Sequence, residues 1–316
     1  MMEKYNRYHV TLATDFPKSL KRLFLHIRNA NILYHKFCYG KSEYKDGINI
    51  HSKDWDNLLL LDACRYDMFE QHVNLPGELS REKSKGSMTA QFLEANFDGR
   101  DATDTVYITA NPMHRRIENT CEFRFHKVVD VWNEAGWDEN EATVLPETVY
   151  DYALRANEEY PNKRLLIHFM QPHFPFVGTD TEFDKQVPDQ TTEEVPFWLQ
   201  LRSGTLNIPS EVIWDAYNRN LNVIVPTLSN LGNKLTGKTV VSSDHGNMVG
   251  ERSSPIPIPD WGHPRGLYTP ELIDIPWLVL NFDNRKKVTY DPPVSDDKEV
   301  ANNVVQNRLR DLGYTE

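Results

Sequence analysis

At three distant places in the chain, a short unbroken apolar run ends on an acidic or imidazole side chain. Asn57–Leu61 (NLLLL) runs into Asp62, and Thr239–Ser243 (TVVSS) runs into Asp244 and His245. Leu165–Met170 (LLIHFM) contains His168 and leads to His173. Continuous apolar runs of this length read as strands covered on both faces, which are typical of parallel sheets. Thr105–Thr109 and Pro276–Leu280 add two more. Helical spacing appears between them. Pro146 suits a first helical position ahead of Val149, Tyr152, Ala153 and Ala156. Ser210 suits an N-cap for a helix reaching Leu231, with Pro226 as a kink and Gly232 as its C-terminal cap. Strands alternating with helices predict an α/β fold, a three-layer αβα sandwich around a mostly parallel central sheet. The expected division is an N-terminal helical segment over residues 1–50 packed on a single domain over 51–316.

In open α/β sheets, ligands gather beyond the carboxyl ends of the strands. One such edge would therefore collect Asp62, Asp244 and His245, hard-to-borderline ligands of the kind that hold zinc, manganese, magnesium or calcium. Each segment has an ordinary alternative, since a strand-end Asp is often a helix cap and a loop His often a surface residue. The conjunction of three segments is what points to a cation. A nucleophile is offered by SREKSKGSMTAQFLEANF. A helix beginning at Met88 places Ser87 at its N-terminus, where backbone N–H groups and the helix dipole favour an anionic group. Thr89, two residues on, is the rival hydroxyl.

The rest of the chain narrows the class. Thirty-five basic residues against 46 acidic give a net charge of −11, which argues against a nucleic-acid-coating protein. Cys38, Cys64 and Cys121 are odd in number and widely spaced, so neither a disulfide framework nor a zinc-finger pattern is expected. Cys64 reads as a small buried residue. The charged N-terminus has no signal-peptide core, and no run reaches the ~20 apolar residues of a membrane span. A cytoplasmic location is the expectation. The stretch FPKSLKRLFLHIRNANILYHKF has the spacing of a basic amphipathic helix, to be packed on the body or laid on a membrane or partner. Two Pro-rich stretches, 171–209 and 250–270, read as long loops; Trp198 and Trp261 within them suit a sugar or nucleoside pocket.

Taken in order, these segments resemble the alkaline phosphatase superfamily, in its sulfatase-like branch of sulfatases, phosphonate monoester hydrolases and lipoteichoic acid or phosphoethanolamine transferases. LLLLDACRYD resembles the opening strand–Asp–x–x–Arg motif, LIHFMQPHFPF the Pro-His-x-Pro-aromatic segment, and VVSSDHGNMVGE the Asp-His-Gly motif. GHPRGLYTPELIDIPWLVL and VVQNRLRDLGY resemble the late strand and the terminal helix ending in Leu-Gly-Tyr. The matches span residues 57–314 in family order.

The resemblance implies a metal-dependent hydrolase or transferase of an anionic ester, most readily a phosphate mono- or diester of a small molecule or carbohydrate. Asp62, Asp244 and His245 would hold one divalent metal. Ser87 would be nucleophile and fourth ligand, with Thr89 as the alternative. His173 and His263 would bind substrate oxygens or protonate the leaving group, with His168 nearby. Arg65 would pack or pair with a carboxylate, with direct contact to the substrate anion as the lesser reading. Departures from the family pattern are informative. The segment SMTAQ lacks the Cys and Arg of a formylglycine site, which disfavours a sulfatase acting on sulfated sugars. Ala63 and Gln171 stand where two-metal relatives carry acids, and His263 replaces a lysine usual in sulfatases. A catalytically silent copy of the fold is the remaining alternative; it would lack metal ligands that are present here.

Overall fold

The computed structural model describes residues 18–133, 135–178, 195–294 and 300–314. In chain order its elements are α1 (Lys18–Tyr39), β1 (Asn57–Asp62), α2 (Tyr66–His72), β2 (Gly77–Lys83), α3 (Thr89–Phe97), β3 (Asp101–Thr109), α4 (Met113–Ile117) and β4 (Arg124–Asp130). There follow β5 (Trp137–Asp138), β6 (Thr143–Val144), α5 (Pro146–Glu159), β7 (Arg164–Pro172), α6 (Phe197–Ser203), α7 (Ser210–Lys234) and β8 (Thr239–Ser243). The remainder is β9 (Met248–Arg252), β10 (Pro259–Gly262), α8 (Pro270–Ile273), β11 (Asp274–Leu280) and α9 (Asn302–Asp311).

Seven strands form one sheet in the order β2-β11-β8-β1-β7-β3-β4. β8, β1, β7, β3 and β4 pair in parallel; β11 runs antiparallel between β8 and β2. Successive side chains of a strand point to opposite faces. All six residues of β1 are buried, so both faces of the sheet are covered. This is the α/β layering that the apolar runs predict. The five strands expected from sequence are all present, within four residues at each end. The two unexpected ones, β2 and β4, lie at the sheet's edges. β2 (GELSREK) is half-exposed to fully exposed and charged, as edge strands that must not pair with other chains tend to be. An apolar-run criterion passes over such a strand.

Helix ends differ from the sequence reading in three places, each with a local cause. Pro209, not Ser210, occupies the N-cap of α7, and Ser210 is its first helical residue. Gly232 lies inside α7, which continues to Lys234. A Cβ at Gly232 would stand 2.6 Å from Leu280 Cδ1, so the glycine serves close packing of the helix on β11 instead of a cap. α7 also continues helical through Pro226. The third difference matters most: α3 starts at Thr89, with Met88 as its N-cap. The Pro-rich stretches are also more ordered than expected. Trp198 lies in α6, Trp261 lies in β10, and β9 and β10 pair as an antiparallel ribbon. Pro188, in the first of these stretches, lies outside the described residues.

Candidate metal centre

β1, β7, β8 and β3 are adjacent in the sheet, and their carboxyl ends therefore converge. Register pairs Leu60 with His168, Thr109 with His168, and Leu61 with Ser243. The next residues along are Asp62, Asp244 and Asn111. The ligand atoms of Asp62, His168 and Asp244 all lie within 4.8 Å of one another, and all three residues are fully buried. His168 Nε2 is 3.9 Å from Asp62 Oδ2 and 3.9 Å from Asp244 Oδ2. His245 Nε2 is 3.3 Å from Asp244 Oδ2 and 3.7 Å from Asp62 Oδ1.

The hydrogen bonds around this cluster leave it composed of acceptors. His245 Nδ1 faces the Gly246 carbonyl at 2.7 Å. A carbonyl only accepts, so Nδ1 carries the proton and Nε2 presents a lone pair to the carboxylates. Tyr107 OH lies 2.8 Å from His168 Nδ1 and holds the ring with Nε2 towards both carboxylates. Asp62 Oδ1 and His168 Nε2 are buried with no hydrogen-bond partner. Among the described residues, the only ion-pair partners of Asp62 and Asp244 are histidines. Burial and the neighbouring Asp244 push the Asp62 carboxyl well above the carboxylate range. Two buried carboxylates without a compensating cation are costly. A divalent ion would satisfy the unpartnered Asp62 Oδ1 and His168 Nε2, so the residues fit a metal.

Thr89, as the first residue of α3, places Oγ1 inside this cluster. It donates to Asp244 Oδ2 at 2.8 Å and lies 3.2 Å from His245 Nε2 and 3.2 Å from Tyr314 OH. Ser87 is turned away. Its Oγ lies 3.1 Å from Gln91 Oε1 and 3.0 Å from the Pro264 carbonyl, and it accepts from Gly266 N at 2.8 Å. The helix starts one residue later than expected, and the structure gives the role expected of Ser87 to the rival hydroxyl of Thr89. Ser87 instead clips the loop of residues 263–266. Ser87→Ala should leave the buried Gly266 N–H and Pro264 carbonyl short of a partner. A loss of about 1–3 kcal/mol is expected in chemical denaturation, with any covalent trapping at Thr89 retained.

His173 and His263 form the outer part of the site, Nε2 to Nε2 at 3.0 Å. The His263 ring lies 4.7 Å from that of His245, and the His173 ring stacks on Tyr314 at 4.9 Å. Asn220 Nδ2, from α7, donates to the Pro172 and His173 carbonyls at 2.9 Å each, which fixes the His173 segment and explains a polar residue on that helix's apolar face. Arg65 does not enter the site. It pairs with Asp67 (2.9 Å to Oδ1) and Glu251 and stacks over Trp214 at 4.6 Å, the carboxylate-pairing role expected of it. Cys64 is buried, as expected.

Two site residues were not expected from sequence. Asn111 donates to Asp62 Oδ2 at 2.6 Å and to Tyr314 OH at 2.9 Å, while its Oδ1 accepts from Met113 N at the start of α4. Tyr314 also donates to Asp62 Oδ2 at 3.0 Å. Both were signalled: Asn111 lies just past a buried strand, at the same sheet edge as Asp62, and Tyr314 ends the Leu-Gly-Tyr motif.

Burial pushes the imidazoles of His168 and His173 down to about 4 and that of His263 well below its ordinary value. In the unfolded chain they titrate near 6.5. Between these values the unfolded chain binds more protons, so stability rises with pH across that window. The raised Asp62 carboxyl opposes this as one group against three imidazoles, so the metal-free protein should on balance lose thermal stability as pH falls from about 6.5 towards 4, a trend that scanning calorimetry across this range would measure.

No family model matches the chain, and no curated protein matches it. Forty-five solved chains do. The C-terminal periplasmic domain of EptC from Escherichia coli, in complex with zinc, is 15% identical over 76% of this chain and 76% of that one, with a TM-score of 0.44. The soluble domain of lipooligosaccharide phosphoethanolamine transferase A from Neisseria meningitidis is 14% identical over 74% of this chain and 78% of that one, TM-score 0.43. An alkaline phosphatase superfamily protein from Vibrio parahaemolyticus is 11% identical over 86% of this chain and 71% of that one, TM-score 0.41.

Proposed function

We propose that this protein is a divalent-metal-dependent enzyme that cleaves a phosphate ester through Thr89, either releasing the phosphoryl-bearing group to water or passing it to an acceptor hydroxyl. The observation that carries this reading is the position of Thr89 Oγ1. It sits at the start of a helix, within hydrogen-bond reach of Asp244 and His245, among buried acceptors that lack partners. The order of motifs along the chain supports the same reading.

Asp62, Asp244, His245 and His168 would hold the metal. When bound, it supplies positive charge that lowers the pKa of a nearby hydroxyl and offsets charge on the ester oxygens. Thr89 Oγ1 is aligned to give its proton to Asp244 Oδ2 as it attacks phosphorus. The new Oγ–P bond replaces the P–O bond to the leaving alcohol. The leaving oxygen accepts a hydrogen bond from the one Nε2–H that the neutral His173–His263 pair holds and takes its proton from water. Water or an acceptor hydroxyl then cleaves the phosphothreonine ester by the reverse path. Tyr314 and Asn111 hold Asp62 in place beside Thr89.

The test is turnover of an aryl phosphate monoester, an aryl phosphate diester and an aryl sulfate with added Zn²⁺ or Mn²⁺. Phosphate-ester cleavage exceeding sulfate cleavage is expected. Cleavage of the sulfate alone, or of none of them with any divalent metal, would reject the assignment.

A further inference from the structure

α1 presents two different faces. One is tied to the body by buried polar residues. Arg28 donates to the carbonyls of Arg202 and Pro259, Asn31 donates to the Ser253 hydroxyl at 2.9 Å and the Ile256 carbonyl at 2.8 Å, and His35 reaches Ser254 and accepts from Tyr268 N. Ile32 and Tyr39 pack on a small apolar cluster formed by Tyr44, Met248, Leu267, Tyr268, Leu272 and Ile273. These contacts fix the helix's rotation. The opposite face then points outward, and it is apolar. Leu23, Leu33, Tyr34 and Phe37 recur at helical spacing around it, with Leu33 67% and Phe37 91% exposed. A helix that needed only to pack on the body would carry polar residues there.

Charge decides what could cover this face. Besides the buried Arg28, the helix contains Lys18, Lys21, Arg22 and Lys36 and no acidic residue, in a chain whose net charge is −11. A second copy docking there would bring two basic helices together and two acidic bodies alongside. An anionic surface complements the helix, and the body's repulsion fades beyond roughly 8 Å at physiological salt. No helix among the described residues is long and apolar enough to cross a membrane. An amphipathic basic helix of this kind lies in the interface instead, its apolar face among the acyl chains.

From these features we infer that α1 is a docking surface for an anionic phospholipid membrane. The helix's C-terminal part also borders the candidate site: Gly266, in the loop that follows His263, sits against the Lys36 side chain, where a Cβ would be 2.3 Å from Cε. Docking through α1 would hold that loop near the membrane surface. The inference stands on α1 alone and does not depend on the chemistry at Thr89.

The test is sedimentation of the full chain with vesicles of phosphatidylcholine, pure or mixed with phosphatidylglycerol. Binding to the mixed vesicles, weakened by salt, is expected, with little binding to the neutral ones. The double variant Leu33→Ser/Phe37→Ser should bind at least about tenfold more weakly while its melting temperature stays unchanged, because both side chains are exposed. Absent binding to mixed vesicles, or undiminished binding by the double variant, would overturn the inference. So would a dimer in light scattering that the variant abolishes, which would assign the face to a second copy.

Discussion

Thr89→Ala should reduce phosphate-ester turnover by on the order of 10⁵-fold or more, the scale seen when a covalent nucleophile is removed from an enzyme, and should abolish any phosphorylated intermediate detectable by intact-mass spectrometry after acid quench. Thr89→Ser keeps the hydroxyl and should retain much of both. The comparison with Ser87→Ala gives this expectation its force. Ser87 lies only two residues away and is equally buried, but its hydroxyl is committed to Pro264 and Gly266. If the alanine variants exchanged outcomes, with Ser87 required for trapping and Thr89 dispensable, the placement of the α3 N-terminus would be wrong in its functional sense. The variants' melting temperatures separate a catalytic loss from a folding one.

A second large effect is expected from the carboxylates. With metal at about 100 times its dissociation constant, binding adds about 2.7 kcal/mol to stability, and the wild-type melting temperature should rise on adding Zn²⁺ or Mn²⁺ and fall back with chelator. Asp62→Asn should abolish that response. The same substitution should leave the metal-free protein as stable as the wild type or more so, since it removes one of two like charges in a fully buried pair. Opposite signs in the two conditions distinguish a ligand from an ordinary structural carboxylate, whose loss would destabilise the protein with and without metal. A wild-type protein indifferent to every divalent ion would exclude the centre.

Much of this arrangement can be read from the chain because strand-end chemistry is written in consecutive residues. Asp62, Asp244 and His245 each follow a buried apolar run directly, and the parallel register that brings them together follows from the layering rule. What could not be read depends on atoms distant in sequence. Whether a helix begins at residue 88 or 89 turns on backbone geometry worth about one hydrogen bond, and that small difference decides which hydroxyl meets the carboxylates. His168 was expected beside the site and is found with its Nε2 facing both acids. Its orientation is set by Tyr107, on the neighbouring strand, and no local pattern records that contact. The edge strands were missed for the opposite reason: their charged, exposed faces are shaped by the need to avoid pairing, not by a core.

The phenol of Tyr314 reaches Asp62 across 252 positions of sequence, after every strand of the sheet has already been laid down. A polypeptide cut between β11 and α9 would hold each acid and imidazole of the centre and the complete sheet, yet lack the group that steadies Asp62 and stacks on His173. The last contacts of the centre are therefore made by the segment that follows α9, not by the sheet that carries its acids and imidazoles.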